Sequence, residues 1–289
     1  MPEVIAKIAE LRRRLELRRQ RGAFIGLVPT MGALHRGHAE LLEIARREND
    51  FVVATIFVNP IQFDRAADLE TYPRTMERDL QVCEEHGVNL IFAPGVEELY
   101  PREQLTFVEL PELTAHLCGA HRPGHFRGVA TVVLKLFNIV QPDRAYFGEK
   151  DAQQLAVIRR MVDDLNVPVT VVPVATVREE DGLALSSRNK HLTPEQRAIA
   201  PALYEALRRA ADRIAAGERC AKALRDEARE AISQYPEARL EYFDVTDPET
   251  LQAVTDIEGP VLIAAAMWLG STRLIDNIKM PEALSVSSG

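Results

Sequence analysis

His35 and His38 stand three residues apart in the stretch Gly26-Leu-Val-Pro-Thr-Met-Gly-Ala-Leu-His-Arg-Gly-His38. Ala23, Phe24 and Ile25 precede it, and Leu41, Leu42, Ile44 and Ala45 recur at helical spacing after it. The pattern predicts a buried strand, a glycine-bearing turn and a helix that starts near His38. Such an order aims backbone N–H groups and the positive end of a helix at whatever lies over the turn. Gly32 and Gly37 let the backbone approach a ligand with no Cβ in the way. With two imidazoles added, the set suits a polyphosphate on which negative charge grows during reaction. Two other readings of the histidines stay open at this level. They could be half of a metal site, for which no nearby cysteine supplies further ligands, or surface side chains beside an ordinary turn.

Further stretches carry groups of similar character. Asn59-Pro-Ile-Gln62 follows the apolar, β-branched run 51–58. That run predicts a buried parallel strand, so Gln62 lies at a strand's carboxyl end, where open α/β sheets bind ligands; a loop-capping role fits it equally. Phe147-Gly-Glu-Lys-Asp-Ala-Gln-Gln154 repeats the opening logic, with a short strand, a turn at Gly148 and a helix carrying Leu155, Val157, Ile158 and Met161. Lys150 can meet phosphate as a point charge. Asp151 and Gln154 share a helical face, and Asp151 alternatively serves as an N-cap. Ser186-Ser187-Arg188 is a compact donor cluster for phosphate oxygens, a weak signal without context. The loop 121–128 gathers His121, Arg122, His125 and Arg127 ahead of an apolar helix over 129–140; it fits a lid, a substrate anchor or a plain surface loop.

The elements that must position these groups follow from periodicity. Residues 3–20 predict one amphipathic helix, with Val4, Ile5, Ile8, Leu11, Leu15 and Leu17 among arginines. A helix over 72–86 ends at Gly87, and strands are predicted at 88–92, 106–110, 145–147 and 169–174. Thr193-Pro194 supplies an N-cap and an N1 proline for the first of two long helices, 194–216 and 219–234. A strand at 240–245, a short helix from Pro248 and two strands, 261–267 and 271–278, joined at Gly270, complete the chain, with 284–289 read as disordered. Strands alternating with helices predict an α/β protein: a Rossmann-like, doubly wound parallel sheet over 1–185, then a smaller α+β domain over 186–289, with the joint between them a preferred ligand cleft.

Composition limits the function class. The 289 residues are 46% apolar and 27% charged, with a formal charge of −8, which is ordinary for a globular protein and argues against general nucleic-acid binding. The longest apolar runs are too short to span a bilayer, and the N-terminus lacks the apolar core of a signal peptide, so a cytoplasmic protein is expected. Cys83, Cys118 and Cys220 form neither a zinc pattern nor a disulfide framework.

Six motifs taken together carry a resemblance: Pro29-Thr-Met-Gly-Ala-Leu-His-x-Gly-His38, Phe57-Val-Asn-Pro-x-Gln-Phe63, Tyr72-Pro-Arg-Thr75, Arg122-Pro-Gly-His-Phe-x-Gly-Val129, Phe147-Gly-Glu-Lys-Asp-x-Gln-Gln154 and Ser186-Ser-Arg-Asn189. In this order, over nearly the whole chain, the sequence resembles the pantothenate synthetase (pantoate–β-alanine ligase) family of the nucleotidylyltransferase superfamily. The resemblance implies ATP-dependent condensation of pantoate with β-alanine through a pantoyl adenylate, releasing pyrophosphate and AMP, in coenzyme A biosynthesis. It implies a cytoplasmic homodimer with small-molecule substrates, magnesium accompanying ATP, and neither nucleic acid nor membrane as partner. It also implies that the domain over 186–289 closes over the active site. By resemblance, His35, His38, Lys150 and Arg188 act in catalysis, His38 as a proton donor. ATP is implied to meet Met31, Gly32, Ala33, Leu34, His35, Gly37, His38, Gly148, Glu149, Lys150, Asp151, Val177, Leu185, Ser186, Ser187 and Arg188. Gln62 and Gln154 are implied to bind pantoate, Gln62 also lying near β-alanine, and Arg122, His125 and Arg127 to help form the pantoate side. Many relatives carry an acidic pair where this chain has Arg78-Asp79, which leaves Asp79 as the one carboxylate there for magnesium. Another nucleotidylyltransferase with the same ATP half-site would need an anionic phosphate-acceptor pocket in place of the Gln62 and Gln154 pair, and a non-catalytic nucleotide sensor would have lost chemistry residues, whereas His35, His38, Lys150 and Arg188 are all present.

Overall fold

The computed structural model describes residues 1–281; the tail 284–289 lies outside them. The chain divides into two compact units, the first comprising residues 1–111, 122–149 and 157–177, the second residues 112–121, 150–156 and 178 onward.

In the first unit, β1 (Glu3–Ile5), β2 (Ile25–Thr30), β3 (Phe51–Ile56), β4 (Leu90–Phe92), β5 (Arg144–Gly148) and β6 (Thr170–Val174) form one sheet in the order β1-β4-β3-β2-β5-β6. Every pairing is parallel. β2, β3 and β4 are buried along almost their whole length, as strands covered on both faces must be. The chain steps one way along the sheet from β2 to β4 and the other way from β4 to β6. Right-handed crossovers then put helices Arg36–Glu48 and Met76–Glu85 on one face, and helices Ile8–Arg19 and His125–Val140 on the other. Side chains agree: Leu41, Leu42, Ala45 and Cys83 share a core with Val28, Val52, Ala54 and Ile91. On the opposite face, Arg12 donates to the Asn138 carbonyl at 3.4 Å and Arg19 to the Gln141 carbonyl at 3.2 Å. The doubly wound architecture is thus present.

The direction of winding reverses between β2 and β5, the place where such sheets open a ligand crevice. Their pairing stops at Leu27 and Ala145. Thr30 turns its N–H toward β3, donating to the Thr55 hydroxyl at 3.2 Å, so the nitrogen of Pro29, one residue earlier, faces β5 and has no hydrogen to give. Pro29 therefore parts the two strands just before Thr30 and Gly148, at the edge where the candidate site begins.

In the second unit, β7 (Ala238–Thr246), β8 (Val261–Leu269) and β9 (Thr272–Met280) form an antiparallel sheet in sequence order. Helices Pro194–Ile199, Ala202–Ala215 and Ala221–Ser233 accompany it, and Leu203, Leu207, Leu224 and Ile232 bury with Val245, Ile263 and Met267. Arg273 and Glu241 form a buried ion pair, Arg273 Nε donating at 2.9 Å, and Trp268 Nε1–H donates to the same carboxylate at 2.7 Å. Burial alone would raise the Glu241 carboxyl; the Arg273 and Trp268 hydrogen bonds hold it below its ordinary value.

Several elements differ from the sequence reading. Residues 3–5 pair as β1 with β4 before the first helix begins. Residues 106–110 form no strand; the Val108 N–H goes to the Thr131 hydroxyl at 3.0 Å instead. The helix read from residue 72 begins at Met76. The helix over 194–216 is two helices, broken at Ala200-Pro201, where proline cannot donate to the preceding turn. From Pro248 there is a turn and no helix: Asp247 Oδ1 accepts the N–H groups of Glu249 and Thr250 at 2.9 and 2.7 Å, the local competition with helix that aspartate offers.

Candidate active site

At the carboxyl end of β2 the chain runs through Met31-Gly32-Ala33-Leu34 before helix Arg36–Glu48. Gly32 and Ala33 both have positive φ, 80° and 52°. The turn's amides are used internally. Gly32 donates to the Thr30 hydroxyl at 3.1 Å, Ala33 and Leu34 to the Asp79 carboxylate at 3.0 and 2.8 Å, and His35 to Nδ1 of His38 at 3.3 Å. The cradle of backbone N–H groups expected over the turn is therefore replaced by side chains, because Thr30 and Asp79 take those donors from below.

His35 is the N-cap of the helix, which begins at Arg36, two residues before His38. Its Nδ1 accepts the Gly37 N–H at 3.1 Å, and the Nδ1 of His38 accepts the His35 N–H. Both rings thus carry their proton on Nε2, and they lie with centroids 4.1 Å apart. Two preset Nε2–H donors at the positive end of a helix are suited to an oxyanion that gains charge.

Gln62 lies beside this turn. It is buried, 8% exposed, in a 3-10 turn at Pro60–Gln62 after β3. Its Nε2 donates to the Met31 sulfur at 3.2 Å, and its Oε1 accepts from Asn59 at 3.0 Å. Asn59 in turn donates to the Gly128 carbonyl at 3.2 Å and accepts the Tyr100 hydroxyl at 2.8 Å. Arg122 donates to Nε2 of His125 at 3.1 Å, and His125 Nδ1–H donates to the Gln62 carbonyl at 2.8 Å. Arg122 also pairs with Asp64 at 3.1 Å; burial would raise the Asp64 carboxyl, but the guanidinium holds it below its usual range. Gly148, Glu149 and Val177 belong to the same unit and are partly buried. A Cβ on Gly148 would meet nothing within 4 Å.

The second unit carries the other candidates. Lys150 and Asp151 lie in a 3-10 turn, and Asn277 donates to the Lys150 carbonyl at 2.9 Å. Gln153 is buried and fastens segment 112–121, donating to the carbonyls of Leu113 and His116 at 2.9 and 2.8 Å and accepting from Gly119 at 3.2 Å. Its neighbour Gln154 is partly exposed. Leu185 precedes Ser186, whose hydroxyl accepts the Arg188 N–H at 3.2 Å and caps the 3-10 helix Ser187–His191. Arg178 braces this loop. It grips Asp276 through two bonds of 2.5 and 2.9 Å, donates to the Gly182 carbonyl at 3.0 Å and stacks over Tyr204 at 3.8 Å.

A family model described as pantoate-beta-alanine ligase matches residues 3–279. The chain belongs to the pantoate–β-alanine ligase family. The pantothenate synthetase of Moorella thermoacetica is 54% identical over 96% of this chain and 98% of its own length, and that of Allorhizobium ampelinum 53% identical over 95% of each. Among solved structures, pantothenate synthetase from Thermus thermophilus superposes with a TM-score of 0.90 at 51% identity, covering 96% of this chain and 99% of that one. The pantoate-beta-alanine ligase of Francisella tularensis, complexed with beta-gamma ATP and beta-alanine, gives 0.78 at 34% identity, covering 96% and 98%.

Within this ligase-family chain, the first unit brings together Met31, Gly32, Ala33, Leu34, His35, Gly37, His38, Gln62 and Asp79. The second holds Lys150, Asp151, Gln154, Leu185, Ser186, Ser187 and Arg188. Sequence reasoning passed over Asn59, Tyr100, Gln153 and Arg178. Asn59 and Gln153 stood inside quoted motifs, where a polar residue next to a buried strand or helix was the available signal; nothing local marked Tyr100 or Arg178. Among the described residues, no group of three or more His, Cys, Asp or Glu is arranged to hold a metal, and both Asp79 oxygens already accept backbone N–H bonds. Among the described residues, Asp79 therefore has no partner ligands with which to form a protein-built magnesium site.

Proposed function

We propose that this protein condenses pantoate with β-alanine at the expense of ATP, as a ligase forming the amide bond of pantothenate in coenzyme A biosynthesis. A pantoate carboxylate oxygen attacks the α-phosphorus of ATP, and the bond to pyrophosphate breaks. The β-alanine amine then attacks the acyl carbon of the pantoyl adenylate; AMP leaves and the amine proton is lost. No covalent bond to the protein is needed, so its work is positioning and charge stabilisation.

In this reading the Nε2–H groups of His35 and His38 donate to the phosphate oxygens from which pyrophosphate departs, and Lys150, Ser186, Ser187 and Arg188 contact other phosphate oxygens. Met31 to His38, Gly148 and Val177 receive the nucleotide, with Asp151 at the ribose and Leu185 against the loop. Gln62 and Gln154 bind pantoate, Gln62 reaching β-alanine as well. Magnesium enters with ATP, held by phosphate oxygens and water. The active form is a cytoplasmic homodimer, which light scattering of the purified protein tests. The observation that carries the reading is Gln62, fixed on both atoms of its amide beside the two-histidine turn, in a chain matching its family from residue 3 to residue 279. The test is product release from ATP: pyrophosphate on adding pantoate alone, and AMP only once β-alanine is present. ATP binding without pyrophosphate release in the presence of pantoate would refute it.

A further inference from the structure

The turn that precedes the two histidines holds two consecutive residues in left-handed backbone, and only one of them is glycine. An alanine at φ 52° costs roughly 1–2 kcal/mol and persists only where its surroundings fix it. What fixes it is a carboxylate 46 residues away. Asp79, 1% exposed, accepts Ala33 N–H on Oδ2 and Leu34 N–H on Oδ1, and the Thr75 hydroxyl supports Oδ1 at 3.2 Å. Oδ2 lies 2.9 Å from where a Cβ on Gly32 would stand. The glycine and the carboxylate are therefore matched: Gly32 leaves the space that Asp79 fills, and Asp79 satisfies the donors that the left-handed pair turns inward. Leu34 leads directly into His35, so the direction in which the capping histidine leaves the turn depends on those two hydrogen bonds.

We infer that Asp79 is a positioning residue for nucleotide binding, acting through the backbone of Ala33 and Leu34 and not as a magnesium ligand. A carboxylate receiving two buried N–H groups and a hydroxyl has most of its acceptor directions used inside the protein, and at 1% exposure it faces the turn and not solvent. The inference rests on the assignment of the Met31–His38 turn to ATP, and it separates from that assignment in the experiment.

ATP affinity is measured in EDTA and again with magnesium, alongside KM for pantoate and the magnesium concentration for half-activation, in the unaltered protein, Asp79→Asn and Thr75→Val. The carboxamide introduced by Asp79→Asn would keep one acceptor but turn an NH2 group toward a backbone N–H. Asp79→Asn is expected to weaken ATP binding about 10- to 100-fold, as for a buried donor left unpaired, by the same factor with and without magnesium. The pantoate KM and the magnesium requirement should change less than about threefold, within a factor that no lost hydrogen bond explains. Thr75→Val should shift ATP affinity the same way and less. Unchanged ATP affinity in EDTA with a raised magnesium requirement would overturn the inference in favour of metal ligation, and ATP and pantoate weakening in parallel would reduce Asp79 to a folding role. If Asp79→Asn does not fold, an ATP affinity untouched by Thr75→Val overturns it. Failure of the unaltered protein to bind ATP would instead remove the site assignment itself.

Discussion

The side-chain amide of Gln62 bridges Met31 and Asn59, donating to the Met31 sulfur at 3.2 Å and accepting from Asn59 at 3.0 Å. The residue after β2 and the residues after β3 are thus joined at the carboxyl edge of the sheet. Gln62→Ala is expected to raise the pantoate KM about 10-fold or more, the usual loss of a substrate hydrogen bond in a dry site, with ATP affinity changed much less. Steady-state kinetics with each substrate varied in turn checks it. Gly128→Ala should act in the same direction without touching substrate, because its Cβ would fall 2.6 Å from the Gln62 Cα and 2.4 Å from the Ile61 carbonyl.

His38 should contribute chiefly to the adenylation step. His38→Ala is expected to slow pyrophosphate release by roughly 10²- to 10³-fold, the loss seen for one transition-state donor. His38→Gln, which keeps an N–H near the Nε2 position, should lose less. Single-turnover pyrophosphate release measures both, and an Ala variant at the parent rate would take His38 out of the reaction.

Glu241 and Arg273 set an acid limit on stability. The Glu241 carboxyl sits below its ordinary 4.5 in the folded protein, so its stabilisation is complete above that value and is lost as pH falls through the lower, folded one. Glu241→Gln leaves the Arg273 guanidinium buried without a counter-charge and should cost about 3–5 kcal/mol. Thermal melts from neutral to acidic pH should show the parent losing stability in the acid limb, while the variant is less stable at neutral pH and its acid limb is flatter.

The three thiols should separate by reactivity. Burial, with Asp79 nearby, pushes the Cys83 thiol up to about 12, and Cys118 is also buried, while Cys220 is exposed. Only the thiolate reacts, so Ellman's reagent at mildly alkaline pH should modify Cys220 rapidly in the native protein, and all three after denaturation in guanidinium. Replacing Cys220 by Ser should abolish the fast phase.

Much of the frame was legible because it is written locally. Residues 51–56 form an apolar, β-branched run of the kind used by a strand covered on both sides, and Pro194 after Thr193 marks a helix start by its own geometry. The two histidines, the glycine between them and the polar motifs at strand ends could be read as an anion site for the same reason. Tertiary structure decided which partners those groups have. The backbone donors of the turn go to Thr30 and Asp79, not outward, and Gln62 is held through Asn59, Tyr100, Arg122 and His125, residues from separate parts of the chain. β1 is only three residues long; it becomes a strand because β4 offers it an edge, and its own sequence reads as the start of a helix. Such pairings are made by folding, since a buried donor must find an acceptor wherever the sheet brings one, and periodicity along the chain carries no record of a contact 46 residues away.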